Sequence, residues 1–314
     1  MKSFLYKVYN KISSYDTFNK KRNVNSLYHI LYNLVHDLDN SLDISSKQTQ
    51  SAFSKQWETY KDGKGILSDE WFKANVCNIL TEEEIQINPE WFKGKEVLDG
   101  GCGNGRWAYG MAKLGANVTC VDINESALCE TELALKDFDV NKTFIQSPLE
   151  NLSQNLGGKK FDMVFSWGVV HHCTSFNTSL RELTKHLKDD GILYLYLYGR
   201  ESLPMEKDIQ LFKKRVYYNS LDEIGKYKFL YKQALGNPAN LHIMHDIYAP
   251  LLNRRLEFDY MDSFLKKEGF IDVVRTLDHP ELFIRAIKSN KEDYYKNWFL
   301  PKKQKPFWFE RYTV

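Results

Sequence analysis

Residues 97–107 read VLDGGCGNGRW. An apolar strand ends in Asp99 and runs straight into glycines at 101, 103 and 105, ahead of a helix-forming segment. A ligand lying against backbone at a strand end leaves no room for a β-carbon, and a tight turn needs dihedrals that other residues avoid. The next helix then offers unpaired N–H groups to an anionic part of that ligand. The stretch is therefore a nucleotide-type pocket. A dinucleotide fingerprint, GxGxxG, fails from Gly101 and Gly103, because its third glycine falls on Arg106. Counted from Gly103 and Gly105 it falls on Ala108, a permitted residue, so that register stays open. The pattern matched in full is DxGxGxG, at Asp99, Gly101, Gly103 and Gly105.

Two further segments follow in order. VTCVDIN, 118–124, is a second strand ending in Asp122, 122 − 99 = 23 residues after Asp99. That is close to the roughly 20 expected of a βαβ unit whose acidic residue reaches a ribose. FDMVFSWGVVHHC, 161–173, is another apolar strand with a loop behind it. Together the three resemble the class I S-adenosylmethionine-dependent methyltransferases, in bacterial enzymes acting on small molecules and glycans. The resemblance spans about residues 50–288 and implies S-adenosyl-L-methionine as cofactor.

On that resemblance Asp122 binds the ribose hydroxyls, its alternative being an N-cap for the next helix. Ile123 stands beside it, and Gly101, Gly103 and Gly105 give close approach. Asp99 serves the methionine end, and Arg106 either pairs with the methionine carboxylate or is a surface guanidinium. Ser147 and Pro148 occupy the positions where relatives carry an acidic adenine contact, so Ser147 or the Leu149 backbone takes that part. Ser166, Trp167 and Gly168 pass beside the sulfonium. His171 and His172 lie where an acceptor hydroxyl enters. Histidine suits proton removal near neutral pH, with His171 foremost and a packing role as the alternative for both.

Alternating strands and helices from Lys95 argue for a mainly parallel sheet covered on both faces. Strands are expected near 95–99, 117–122, 143–146, 161–167 and 192–198, and helices near 106–114, 125–138 and 174–188. Gly191 is expected to close the turn into the fifth strand. A helix over 258–268 precedes strands at 271–277 and 282–288, whose short connection suits an antiparallel pair. The expected fold is α/β: a Rossmann-like, seven-stranded, mainly parallel sheet with an antiparallel last strand, an N-terminal helical extension and a helical lid insertion.

The domain plan is an extension over 1–50, a methyltransferase domain over 51–288 and a tail over 289–314. Ser26 is the expected cap of a helix carrying Leu27, Ile30, Leu31, Leu34, Val35 and Leu38 at helical spacing, and Phe4, Leu5, Val8, Tyr9 and Ile12 repeat the pattern earlier. The extension is read as packing on the domain or on a second copy in a homodimer. Trp57, in SAFSKQWETYKDG, either lies over the cofactor pocket or anchors a helix. Residues 199–257 exceed what a connection needs and form the lid. Within it His242, His245, Asp246 and Tyr248 are substrate candidates. HxxHD without a third assigned ligand points to no metal.

Lys plus Arg at 43 against Asp plus Glu at 41 leaves a net charge of +2, so no global field draws the chain to nucleic acid or membrane. The five cysteines form no metal-type spacing. No signal-type leader and no run of 18 apolar residues is seen, so the expectation is a cytoplasmic protein. The aromatic and basic tail suits packing or subunit contact better than RNA. The expected function is methyl transfer to a small-molecule acceptor, at oxygen, with glycan, glycolipid and quinone-like acceptors open. A non-catalytic adenosyl-binding partner subunit and an RNA-modifying methyltransferase are the alternatives. SWGV at the fourth strand lacks the motifs of amino-directed or cysteine-mediated base methylation.

Overall fold

The computed structural model describes residues 21–59, 68–302 and Trp308, and the side chains of these except 21–26, 57 and 58. The Phe4–Ile12 pattern and most of the aromatic tail lie outside the described residues. The chain divides into two compact units: Lys64–Cys173, Asn177–Ser202 and Arg255–Val314 in one, Met1–Gly63, Thr174–Phe176 and Leu203–Arg254 in the other.

The first unit is built on seven strands. They are β1 (Glu96–Gly100), β2 (Asn117–Asp122), β3 (Lys142–Gln146), β4 (Phe161–Trp167), β5 (Leu187–Leu197), β6 (Asp272–Arg275) and β7 (Leu282–Ile287). Their order is β3-β2-β1-β4-β5-β7-β6, parallel throughout except β7, which runs against both neighbours. Central strands are apolar runs because both their faces are covered. Val97, Leu98, Met163, Val164, Phe165 and Ile192 are all fully buried. β3, at the edge, keeps Thr143 and Gln146 toward solvent.

From β1 the chain steps outward to β2 and β3, then returns to β4 on the other side of β1. At such a switch of direction the carboxyl ends of the strands leave a crevice. The glycine bend stands at this point.

Helices Arg106–Lys113, Glu125–Leu135 and Phe176–Lys185 fill the expected intervals. One boundary differs. Leu187 already pairs with Phe161, and the ladder resumes at Ile192 with Met163, so Asp162 alone faces the four residues Lys188–Gly191. The expected turn at Gly191 is a bulge inside β5, in which a β-carbon on Gly191 would come within 2.7 Å of Leu187.

The second unit is helical, with Lys21–Val35, Asp43–Thr59, Met205–Ser220, Glu223–Gln233 and Leu241–Tyr248. The N-terminal segment and the insertion thus share one core, in which Tyr28, Tyr32 and Val35 pack with Phe212, Val216 and Leu252. The first helix is already formed at Lys21, so Ser26 is not its cap. The buried stripe also differs from the expected one. Leu27, Ile30 and Leu34 remain exposed, whereas Tyr28 and Tyr32 are buried. Two stripes of similar apolarity lie side by side on this helix, and a polar contact separates them: the Tyr32 hydroxyl donates to buried Asp208 at 2.5 Å.

Gly101 has φ +84, and a β-carbon there would lie 2.3 Å from the Val169 side chain. Gly101→Ala is expected to destabilise the fold by roughly 3 kcal/mol, from backbone strain and overpacking together. Gly94→Ala, with φ +70 but nothing within 4 Å, is expected to cost about 1 kcal/mol. Urea midpoints without added ligand check both.

Candidate functional site

The bend after β1 is held by backbone on one side and carboxylate on the other. Gly101 and Cys102 both donate their N–H to the Val121 carbonyl, at 2.7 and 3.0 Å, which ties the bend to β2. Gly105, at φ +82, opens helix Arg106–Lys113. A β-carbon on it would meet Thr131 at 2.8 Å, and the Thr131 hydroxyl donates to the Gly103 carbonyl at 2.8 Å. At these two glycines packing as well as ligand access demands the missing side chain.

Asp122 closes β2. One of its oxygens accepts from the Gly103 N–H and the other from the Asn124 N–H, each at 2.9 Å. The helix that follows is capped by Asn124, whose side chain accepts from Ala127 N–H at 3.2 Å. Asp122 is therefore not the cap. It bridges the glycine bend to the β2 loop and retains a lone pair on each oxygen for a neighbouring pair of hydroxyls.

Asp99 is buried, and its Oδ2 has no hydrogen-bond partner. Burial, together with the nearby Asp122 charge, pushes its carboxyl up to about 8, against the lowering effect of the Ala108 N–H. Asp122 is also raised, by burial. Two carboxyl groups so placed fit a ligand that brings a cation and a diol. The amino acid and ribose ends of an adenosyl amino acid have that chemistry.

Other expected contacts have partners in the protein. Arg106 pairs with buried Asp69 at 3.2 Å and lies over the Phe72 ring. The Ser147 hydroxyl donates to the Pro148 carbonyl and accepts from Asn155 Nδ2, both at 2.9 Å. Ser166 donates to the Gly100 carbonyl at 2.7 Å, locking β4 to β1. Leu149 is buried, within 3.4 Å of a β-carbon built on Gly100. Ile123 leaves 36% of its surface exposed beside Asp122, an apolar face open to a flat group.

Beyond β4 the site turns aromatic. Trp167 stacks on Tyr196 with ring centres 4.2 Å apart. His171 is fully buried between the rings of Tyr198 and His172, at 4.1 and 4.2 Å. His172 is half-buried, so of the two it is the ring an acceptor can reach. Arg255 lies over Tyr198 and pairs with Glu281 at 3.3 Å.

Sequence reading missed Tyr194, Tyr196 and Tyr198, although LYLYLYG at 193–199 carries them at the period of one strand face. It also missed Glu84, one of three consecutive glutamates with no local mark. Glu84 is fully buried, and its carboxyl is pushed up to about 7 by desolvation against hydrogen bonds from Tyr194, Trp308 and Trp167.

In the helical unit His245 is buried, with Nε2 3.0 Å from the Ala52 carbonyl and Nδ1 3.4 Å from the Tyr218 hydroxyl. Burial pushes it down to about 4. His242 Nε2 lies 3.1 Å from Gln56 Nε2, and the Tyr248 hydroxyl donates to Gln233 at 3.0 Å. Asp246 is half-buried on the same helix. Trp57 lies in helix Asp43–Thr59, its side chain outside the described residues. Among the described residues no group of three His, Cys, Asp or Glu is placed to hold a metal ion, and no helix is long and apolar enough to cross a membrane.

Residues 97–191 match the model of a methyltransferase domain family. The chain is 28% identical over 151 residues to the ubiquinone biosynthesis O-methyltransferase of Actinobacillus pleuropneumoniae, covering 47% of this chain and 63% of that one. It is 27% identical over 198 residues to the mitochondrial ubiquinone biosynthesis O-methyltransferase of Schizosaccharomyces pombe, covering 61% and 69%. The chain thus spans about half to two thirds of the length of such curated relatives. Its fold is like that of an O-methyltransferase family protein from Burkholderia thailandensis, with TM-score 0.50 and 12% identity over 77% of this chain and 63% of that one.

The raised Asp99 carboxyl has a consequence for stability. Its unfolded value lies near 3.8 and its folded value near 8, so the folded state holds the proton longer. The stability this contributes is complete below about pH 4 and is lost as pH rises through about 8. Wild type is expected to lose stability relative to Asp99→Asn across that window, read from urea midpoints at several pH values. The glycine bend and the two carboxyl groups fall within residues 97–191, the segment that matches the methyltransferase domain family.

Proposed function

We propose that this chain transfers a methyl group from S-adenosylmethionine to a hydroxyl oxygen of a small, planar, quinone-like acceptor. The observation that carries the reading is the pairing of Asp99, with its unpartnered buried oxygen, and Asp122 across the glycine bend. When bound, S-adenosylmethionine supplies an electrophilic methyl on a sulfonium. Asp122 would hold the ribose hydroxyls, Asp99 the ammonium, and Ile123 a face of the adenine.

An in-line displacement asks the protein mainly for alignment in a dry pocket. Half-buried Trp167, stacked by one face on buried Tyr196, and half-buried Tyr198 would give a planar acceptor an aromatic border. That favours a quinone-like ring over a glycan, as do the names of the curated relatives. His172 would take the acceptor hydroxyl proton as the oxygen–methyl bond forms.

Release of S-adenosylhomocysteine, measured with 3,4-dihydroxybenzoate, a simple sugar and an oligoribonucleotide as acceptors, tests the reading. Turnover on the catechol alone is expected. Binding of the cofactor with no turnover on any aromatic acceptor would support a non-catalytic adenosyl-binding subunit instead. Asp122→Ala is expected to weaken S-adenosylhomocysteine binding by roughly 10–100-fold, since hydrogen bonds to a charged group are worth about 1.5–3 kcal/mol. Calorimetry checks this. His172→Ala is expected to lower kcat by about 100-fold with that affinity unchanged.

A further inference from the structure

Glu84 ends a six-residue π-helix, Ile79–Glu84, and has no exposed surface. Three donors from three separate segments converge on it. The Tyr194 hydroxyl donates from β5. The Trp308 indole, from the C-terminal segment, donates to Oε1 at 2.6 Å. The Trp167 indole, from the end of β4, donates to Oε2 at 3.3 Å. π-Turns inside helices recur at functional sites. A buried carboxylate is costly, and such a group fixes geometry when its lone pairs are used.

The C-terminal segment is laced to the same place. Asn88 N–H donates to the Trp298 carbonyl and Leu300 N–H to the Gln86 carbonyl, each at 2.8 Å, with Ile87 bridging Phe299. Arg285 donates to the carbonyls of Ile85 and Gln86 at 2.8 and 3.0 Å while its guanidinium lies 3.5 Å from the Phe299 ring centre. Trp308 is 2% exposed and packs edge-on to Trp107, of the glycine-bend helix, at 5.8 Å. The chain's last described residue therefore reaches both sequence motifs of the site.

We propose that Glu84 is a positioning residue for methyl transfer: with Trp308 and Tyr194 it sets the plane of Trp167, the aromatic wall beside the transferred methyl. This rests on the cofactor reading above. Of the three donors Trp167 alone belongs to the loop leading to His172, so the carboxylate acts on the site through that ring. The C-terminal segment is then part of the site's support, because Trp308 takes one oxygen of Glu84 and leaves the other to Trp167 and Tyr194.

The test is titration of the full chain with S-adenosylhomocysteine, followed in parallel by calorimetry and by tryptophan emission. Trp167→Phe identifies the part of the emission change that belongs to Trp167. In Glu84→Gln, which retains the shape of the carboxylate, and Trp308→Phe, which removes the indole N–H together with part of the ring, affinity is expected within about threefold of wild type. The Trp167 part of the response is expected to fall by at least half. A full Trp167 response in both variants, or no Trp167 part in wild type, would overturn the proposal. So would loss of folding in both, which would make the cluster a scaffold only. Failure of wild type to bind S-adenosylhomocysteine would instead remove the cofactor reading beneath it.

Discussion

The Asp122 carboxylate, accepting from Gly103 on one side and Asn124 on the other, is the interaction on which the site depends. It joins the loop after β1 to the loop after β2, so two separate strand ends become one concave surface. The glycines make this possible because the bend can approach β2, Val169 and Thr131 closely only without side chains. Placing Asp99 beside Asp122 then puts two carboxyl groups where desolvation opposes ionisation of both. Such an arrangement is unfavourable by itself and is relieved by a ligand carrying the complementary charge, which is how a binding site stores specificity.

A second constraint runs along β5. Tyr194 and Tyr196 share one face of the strand, and Tyr198 continues the alternation one residue past its end. Each meets a different part of the site: Glu84, Trp167 and His171 in turn. Strand pleat spaces these contacts regularly, so a rigid element of the central sheet positions a loop that would otherwise be free to move. Buried polar atoms within this aromatic layer cost solvation, and the hydrogen bonds that compensate them also select one arrangement of rings. The same layer accounts for the burial of Trp308.

The helical unit illustrates how chain order and spatial order part company. Residues separated by more than 150 positions, such as Tyr32 and Asp208 or Gln48 and Asn219, are joined by buried hydrogen bonds at 2.5 and 2.8 Å. What reads as an N-terminal extension and a separate insertion is one core. His245, a substrate candidate by spacing, spends both ring nitrogens within that core.

The sequence alone determined the seven strands of the sheet, the helices at 106–113, 125–135, 176–185 and 258–267, and the bend with its two acidic residues. These are local facts: apolar runs bounded by glycine, a helix signal after a turn, and the 23-residue step from Asp99 to Asp122 are written in neighbouring positions. Tertiary structure decided what depended on distant partners. It turned the expected turn at Gly191 into a bulge facing Asp162, paired Arg106 with Asp69, and buried Tyr28 and Tyr32 in place of Leu27 and Ile30. It made Glu84 a hub for side chains 83, 110 and 224 residues away. Periodicity and spacing report which way a side chain points from its own element, but the free energy of burying a charge or a hydroxyl depends on the partner that meets it there.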